Sequence, residues 1–237
     1  MLNDTVLSDF VHGFYGYGNY QAPYWFVGME EGGGHTLEDI DRRLKAWDAR
    51  GRRELEDVAD YHRAIGISEH FTDNPKLQPT WNKLIRIVLA AGGQAYDLDH
   101  IREYQKSKLG TLTGETCLLE LMPLPSRSTS TWLFGGASSL PYLQDRETYL
   151  PHIAPLRAAH IQDRLSQSRP RTVIFYGQQY QAYWTQIAKL SAWDTSSDGF
   201  AFGQRENVLY VAVKHPSARG VANSYFHEIG RLIARRS

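Results

Sequence analysis

The sequence predicts a single layered α/β domain with a parallel central sheet, and three observations lead to this fold class. Its 237 residues are a common length for one α/β domain. Its hydrophobic fraction of 42% is sufficient for a substantial core. Short apolar segments alternate with segments of helical periodicity, which is the pattern of strands joined by crossover helices. No repeat or low-complexity linker divides the chain, so residues 1–237 are interpreted as one domain, with residues 1–23 partly peripheral.

Four short apolar segments predict the strands. They are residues 24–28, 116–121, 172–177 and 208–213. Each is apolar at both alternating faces, as expected for strands that helices cover on both sides. Right-handed crossovers would place the carboxyl ends of these strands along one edge of the sheet, where ligands of open parallel sheets bind. We therefore expect the turn after Gly28, the segments after Leu121 and Gly177, and the loop at His215 to share one rim.

Six segments have the three- and four-residue spacing of apolar positions that predicts helices. They are residues 35–49, 54–65, 80–91, 149–168, 179–190 and 223–236. In the third of these, Thr80 is the predicted N-cap and Gly92-Gly93 the stop. Residues 125–148 are rich in Pro, Ser and Gly, which predicts a long loop of the kind that is often functional or mobile.

Charge and cysteine content exclude several classes of protein. The 26 basic and 26 acidic residues balance, so the chain has no overall positive field that attracts nucleic acid, although a local basic patch is compatible with this balance. The single Cys117 excludes internal disulfides, a four-cysteine zinc site and a cysteine-ligated iron–sulfur cluster. It lies in an apolar segment, which predicts a buried small hydrophobe. No apolar run of 18 residues or signal-peptide pattern is present, so we expect a soluble cytoplasmic protein.

Two adjacent carboxylates follow the first predicted strand on a glycine-rich turn. Glu30 and Glu31 come directly after Gly28-Met29 and precede Gly32-Gly33-Gly34. One interpretation is that they cap the following helix, because negative charge is favoured at a helix N-terminus. The other is that one carboxylate, destabilised by its neighbour, acts as a general base. The turn alone does not distinguish the two.

A histidine follows the last predicted strand in the segment Lys214-His215-Pro216-Ser217. The proline restricts the backbone of His215 and so holds its ring in a narrow range of orientations. A neutral imidazole in this place can donate a hydrogen bond to a carbonyl or an oxyanion, and Ser217 can contact a phosphate. The alternative is a core histidine that bonds to a backbone carbonyl.

Glu120 interrupts a strand that should be buried on both faces. A carboxylate at that depth is costly unless it is paired, hydrogen-bonded or protonated. Either it meets an arginine in a structural ion pair, or it lines the pocket and contacts a polar ligand. Phe71 and Trp81 are candidates for stacking on a planar ligand, with Phe71 in the loop before a helix and Trp81 better suited to the helix core.

In their order along the chain, these segments resemble the uracil-DNA glycosylase superfamily. The matching motifs are Gly28-Met29-Glu30-Glu31-Gly32, Glu120-Leu121-Met122-Pro123-Leu124-Pro125-Ser126 and His215-Pro216-Ser217-Ala218-Arg219. Two further parts are similar to the mismatch-specific branch, namely residues 71–92 and residues 173–177 followed by Tyr180. The resemblance spans residues 24–234 and rests on the order and spacing of short motifs.

The resemblance implies a three-layer α/β/α domain with a four-stranded, mainly parallel central sheet. It implies a monofunctional DNA glycosylase of base-excision repair that extrudes a damaged or deaminated base, uracil foremost, and hydrolyses its N-glycosidic bond with water and without a cofactor or metal. Glu30 would orient the water and His215 would stabilise the departing base. The implied substrate-binding residues are Met29, Glu31, Phe71, Glu120 and Ser217, and the implied DNA contacts are Lys214, Arg219 and Ser126. The partner would be single- or double-stranded DNA, bound by a monomer.

The chain departs from the pattern of that family at three positions. Glu30 stands where the family has Asp or Asn, and Glu31 replaces a proline. Glu120 stands where many relatives contact uracil with Asn, and an ionised carboxylate can only accept hydrogen bonds. Recognition of uracil therefore requires that Glu120 be protonated, held elsewhere or matched to another base. Two rival hypotheses are a non-catalytic binder of nucleic acid or nucleotides and a hydrolase of free nucleosides.

Overall fold

A computed structural model describes residues 1–93, 95–126 and 131–236. Within them the chain is a single α/β domain with one eight-stranded mixed sheet and eight α-helices. The strands are β1 (Gly16–Gly18), β2 (Tyr24–Glu30), β3 (Leu55–Glu56), β4 (Thr116–Met122), β5 (Thr172–Tyr176), β6 (Asp194–Thr195), β7 (Ala201–Arg205) and β8 (Val208–Val213). The helices are α1 (Asp4–Gly13), α2 (Leu37–Ala49), α3 (Val58–Ala64), α4 (Pro79–Ala91), α5 (Leu98–Ser107), α6 (Arg146–Ser168), α7 (Gln181–Ala188) and α8 (Asn223–Arg235).

The four predicted strands form the centre of the sheet, but the prediction of a four-stranded sheet is wrong. The strand order is β3-β1-β4-β2-β5-β8-β7-β6, and β4, β2, β5 and β8 are parallel neighbours. On one side, β1 pairs antiparallel with β4 and parallel with β3, and on the other side β7 pairs antiparallel with β8 and β6. The outer strands lack the apolar signal because they are short or half-exposed. Only their pairing within the sheet shows that they are strands.

Two sets of helices pack closely together. α4 packs against α8 and α5, α6 packs against α7 and β4, and α1 contacts both α2 and α6. The chain moves in one direction across the sheet from β2 to β4 and in the other direction from β4 through β5 to β8. Right-handed connections therefore place α2 to α5 on the face opposite to α6 and α7. The carboxyl ends of the four central strands lie at one edge between these two groups.

Five of the predicted helical segments correspond to α2, α4, α6, α7 and α8. Residues 54–65 instead divide into β3 and α3, because Asp57 caps α3 by accepting hydrogen bonds from the backbone of Ala59 and Asp60. The N-cap of α4 is Gln78 and not Thr80, since the Gln78 side chain accepts from the N–H of Trp81. Periodicity did not predict α1 or α5.

The N-terminal segment contributes to the core. α1 buries Val6, Leu7, Phe10 and Val11, and the Phe10 ring stacks on Phe14 with centroids 4.7 Å apart. Cys117 is fully buried, as its apolar surroundings predict, and burial raises the pKa of its thiol well above the ordinary range.

Much of the predicted loop, residues 125–148, lacks regular structure where it is described. Residues 127–130 of this prediction lie outside the described residues, and the remainder contains one 3₁₀ turn, Pro141–Leu143, and the start of α6. No helix in the described part of the chain is long and apolar enough to cross a membrane.

Candidate active site

The carboxyl edge of the central strands opens into a cavity of about 630 Å³. Seven of the ten site residues predicted from the sequence line it, namely Met29, Glu30, Glu31, Glu120, Ser126, His215 and Ser217. They come from three separated segments of the chain. Parallel strands gather these segments because their carboxyl ends lie at the same edge. The other three residues, Phe71, Lys214 and Arg219, lie outside the lining.

Gly28 of β2 has no side chain, and the side chains of Glu120 and Tyr176 meet in the space beside it. It pairs with Glu120 of β4 in the parallel register, and Tyr176 ends the neighbouring β5. A Cβ at Gly28 would overlap both the Tyr176 hydroxyl and Oε2 of Glu120. Because glycine lacks that atom, the Tyr176 hydroxyl reaches Oε1 of Glu120 and donates a hydrogen bond of 2.5 Å.

Glu120 is a neutral acid at neutral pH. Its burial raises the pKa to about 8, the charges of Glu31 and Glu30 add to this effect, and the hydrogen bond from Tyr176 opposes it. Among the described residues no ion pair involves Glu120, so of the two alternatives for this residue the structural ion pair with an arginine is not found. The nearby Arg157 instead donates to the backbone carbonyl of Glu120 at 3.0 Å.

We expect Glu120→Gln to raise the stability of the protein at neutral pH. The pKa of Glu120 rises from 4.5 to about 8 on folding. Between these values the unfolded chain ionises while the folded protein keeps its proton, so the wild type loses stability as pH rises, at up to about 1.4 kcal/mol per pH unit. The free energy of unfolding of the variant therefore equals that of the wild type below pH 4.5. The difference in favour of the variant grows between pH 4.5 and about pH 8, and it is constant above about pH 8.

Urea unfolding across this pH window measures the difference between the two proteins. Glu103→Gln, at an exposed position of α5, is the matched control and should change the free energy of unfolding by less than about 0.5 kcal/mol. A Glu120→Gln protein that parallels the wild type at every pH would show that Glu120 is ionised in the folded state.

His215 is held in one tautomer by the loop that follows β8. Its Nδ1 accepts a hydrogen bond from the backbone N–H of Ser217 at 3.2 Å, and the Ser217 hydroxyl lies 2.7 Å from the same nitrogen. A backbone N–H can only donate, so the proton of the neutral ring is on Nε2. Burial lowers the pKa of His215, which keeps the ring neutral. The ring therefore offers the cavity a hydrogen-bond donor without a positive charge.

Glu30 ends β2 and is paired with Arg146 at the start of α6. The distance between Oε2 of Glu30 and a terminal guanidinium nitrogen of Arg146 is 2.8 Å, and the Glu30 side chain is 13% exposed. Neither Glu30 nor Glu31 caps α2, because Thr36 is the N-cap and accepts from the N–H of Asp39. The ion pair fixes the orientation of the Glu30 carboxylate at the cavity wall.

Glu31 is a fixed anion in the wall of the cavity. The Tyr17 hydroxyl donates to its Oε2 at 3.0 Å, Arg43 donates to its Oε1 at 3.2 Å, and His62 lies 3.6 Å from Oε1. Burial raises the pKa of Glu31, but Arg43, His62 and Tyr17 together outweigh it and lower the pKa to about 2. A carboxylate so acidic is a poor proton acceptor, so Glu31 is not the general base of the pair.

Trp81, and not Phe71, is part of the aromatic surface of the cavity. The Phe71 side chain is 5% exposed and packs against His62 and Trp81, with ring centroids 5.8 Å from each. Trp81 of α4 and Tyr180 line the cavity. The stacking role that the resemblance implies for Phe71 is therefore better suited to Trp81, which the helical pattern had placed in a core.

The remaining predicted DNA contacts differ in their positions. Lys214 and Arg219 are exposed on the loop after β8, and the backbone N–H of Lys214 donates to the Tyr225 hydroxyl at 3.0 Å. Ser126 is buried, and its hydroxyl donates to the Thr131 carbonyl at 3.2 Å. Lys214 and Arg219 thus lie on the same loop as His215 and Ser217, whereas Ser126 lines the cavity.

Several residues of the site were not predicted. They are Tyr17, Arg43, His62, Tyr176 and Tyr180. Tyr176 ends a predicted strand at the predicted rim, so its position alone could have indicated it. Arg43 and His62 lie on helices and carry no motif. In the described part of the chain, no group of three or more His, Cys, Asp or Glu side chains has a geometry suited to a metal ion.

Neither protein families nor curated proteins provide a match for this chain. No family model matches the sequence. No curated protein is significantly similar to it. The resemblance to the uracil-DNA glycosylase superfamily consequently rests on the short motifs and on the arrangement of their residues.

Proposed function

We propose that the protein is a DNA glycosylase that hydrolyses the N-glycosidic bond of a damaged or deaminated base, with uracil as the foremost substrate. One observation carries the proposal: Glu30, Glu120 and His215 line a single cavity at the carboxyl edge of the parallel strands. These are the three positions at which the motif resemblance implies water handling, contact with the base edge and charge stabilisation. An extruded base needs such a pocket.

His215 would stabilise the departing base. Cleavage of the glycosidic bond leaves the bonding electron pair on the base, and negative charge develops on its carbonyl oxygen. The Nε2–H of a neutral imidazole donates a hydrogen bond to that oxygen without transferring a proton. The contact from Ser217 to Nδ1 supports this role because it holds the required tautomer.

Glu30 would position the attacking water. The water oxygen forms the new bond to the sugar carbon as the base leaves, and the proton released by water passes to the carboxylate or to the departing base. The pairing of Glu30 with Arg146 supports this role by holding one carboxylate oxygen in place. Trp81 would stack on the base, and the exposed Lys214 and Arg219 would contact the DNA phosphates.

We expect the purified protein to release free uracil from uracil-containing DNA, and Glu30→Gln to lower the rate at least about tenfold, because the amide positions water poorly and cannot accept its proton. Base release under single-turnover conditions from single- and double-stranded oligonucleotides measures this. Glu228→Gln, which alters an exposed ion pair on α8, is the matched control.

A panel of deaminated and alkylated bases extends the test to other substrates. If the protein released no base from any member of the panel, the proposal would be contradicted. Turnover of free nucleosides with little affinity for DNA would identify a nucleoside hydrolase instead.

A non-catalytic binder of nucleic acid or nucleotides is the second candidate. The observation that favours it is the same ion pair, because Arg146 engages Oε2 of Glu30 and so occupies one of the two oxygens that would hold water. Tight binding of modified DNA without base release would support this candidate.

A further inference from the structure

The Glu120 carboxyl group and the Tyr176 hydroxyl form a polar pair in the cavity wall with one hydrogen bond between them. Their oxygens are 2.5 Å apart, and both residues line the cavity. Oε2 of Glu120 is buried without a hydrogen-bond partner. Buried polar atoms in folded proteins are nearly always paired, since an unpaired one destabilises the fold. The pair therefore has hydrogen-bonding capacity that no described side chain uses.

The protonation state of the pair decides whether that capacity is a donor or an acceptor. The neutral acid and the phenol carry two acidic protons, and their mutual hydrogen bond uses one of them. The second proton has no acceptor among the described residues. An ionised carboxylate would carry none, and the Tyr176 proton would be fully engaged by it. The neutral pair thus has one donor beyond its own hydrogen bond, and the ionised pair has only acceptors.

We propose that the Glu120–Tyr176 pair binds a carbonyl oxygen of the extruded base as a neutral hydrogen-bond donor. The pair selects bases with a keto group at that position over bases with an amino group there. The inference rests on the proposed function, because it assumes that the cavity receives a base. It removes the objection that glutamate would repel uracil, since a neutral acid can donate to the carbonyl that a carboxylate would repel.

Burial and the two neighbouring carboxylates keep the pair neutral. Glu30 and Glu31 at the end of β2 disfavour a further negative charge beside them. The positive Arg157 of α6 acts in the opposite direction, and the His215 ring lies 5.7 Å from the Tyr176 ring. Burial is the largest influence on Glu120 and raises its pKa to about 8, so recognition of the keto group should weaken as pH rises through that value.

Equilibrium binding of two single-stranded oligonucleotides tests the proposal. One contains a single 2′-fluoroarabino-dU and the other the corresponding dC, because the fluorine slows glycosidic cleavage and the two bases differ in the keto or amino group. At about pH 6 the wild type should bind the dU oligonucleotide at least about 10-fold more tightly. This preference should fall through about pH 8 and be lost by about pH 9.

Glu120→Gln is the matched variant, since its amide donates a hydrogen bond at every pH. It should keep the dU preference from about pH 6 to about pH 9, which also controls for titration of uracil itself. Tyr176→Phe removes the donor that stabilises the ionised form, so its loss of preference should move to higher pH. A difference infrared spectrum between wild type and Glu120→Gln should contain the carbonyl band of a protonated carboxyl group.

Three results would overturn the inference. The first is a Glu120→Gln protein that does not prefer the dU oligonucleotide, and the second is a wild type that does not prefer it at any pH. The third is a wild-type preference for dU with the same pH dependence as the preference of Glu120→Gln. Base release without the pH-dependent preference would contradict this inference alone. The pH-dependent preference without base release from any substrate would contradict the proposed function alone. Absence of both would contradict both.

Discussion

His215→Ala is expected to lower the rate of base release from uracil-containing DNA about 100-fold, the usual effect of removing one donor from a developing oxyanion. The variant loses the Nε2–H donor of the imidazole. In the wild type the ring proton is on Nε2 because Nδ1 accepts a hydrogen bond from the backbone N–H of Ser217. The effect should appear in the single-turnover rate and leave the affinity for DNA nearly unchanged, because the hydrogen bond strengthens only as charge develops. Single-turnover kinetics with saturating enzyme measures the two quantities separately.

Two variants make this test specific. His152→Ala removes an exposed imidazole of α6 and should retain the wild-type rate. Ser217→Ala keeps the backbone N–H that donates to Nδ1, so it should lower the rate much less than His215→Ala. If His215→Ala weakened DNA binding without slowing cleavage of bound DNA, the residue would be a binding group and the charge-stabilising role would be wrong.

Arg157→Met is expected to lower the free energy of unfolding by about 3–5 kcal/mol. The Arg157 side chain is 1% exposed, and its guanidinium lies 3.8 Å from the centroid of the Tyr15 ring. It donates hydrogen bonds of 2.7–3.0 Å to the backbone carbonyls of Val11, Phe14, Glu120 and Leu121. Methionine fills similar space but leaves these acceptors without their donor. Urea unfolding monitored by circular dichroism measures the loss.

Arg164→Met is the matched control on the same helix. Arg164 pairs with Glu54 at a distance of 2.6 Å, with the two side chains 35% and 29% exposed. Partly exposed ion pairs contribute about 1 kcal/mol or less, so this variant should be much more stable than Arg157→Met. Equal losses in the two variants would mean that the four carbonyls find water or other donors when the guanidinium is removed.

The fold illustrates which elements local sequence can identify. β2, β4, β5 and β8 were predicted because each is an uninterrupted apolar run, a signal that requires no knowledge of the rest of the chain. β6 and β7 have no such run; β7 is a strand because it pairs with the edge of β8, and β6 is a strand because it pairs with β7. The sheet is therefore eight-stranded, although the pattern predicted four strands.

In the candidate site, too, the sequence identified some features and only the folded structure decided the others. Topological reasoning placed Glu30, Glu120 and His215 on one rim, and all three line the cavity. It did not distinguish the roles of Glu30 and Glu31, because the difference depends on Arg43 and His62, which no motif marks. The motif resemblance implied stacking by Phe71, whereas packing buries Phe71 and Trp81 lines the cavity.

The sequence by itself determined the four buried strands, the edge at which their loops meet and the glycine-rich turn that carries Glu30 and Glu31. These follow from local apolar periodicity and from the handedness of crossovers, which depend little on distant residues. Only the tertiary structure decided that Glu120 is neutral, that Glu31 is ionised and that His215 is protonated on Nε2. Protonation depends on burial and on charges brought together by folding, and the Tyr176 that bonds to Glu120 is 56 residues away in the chain.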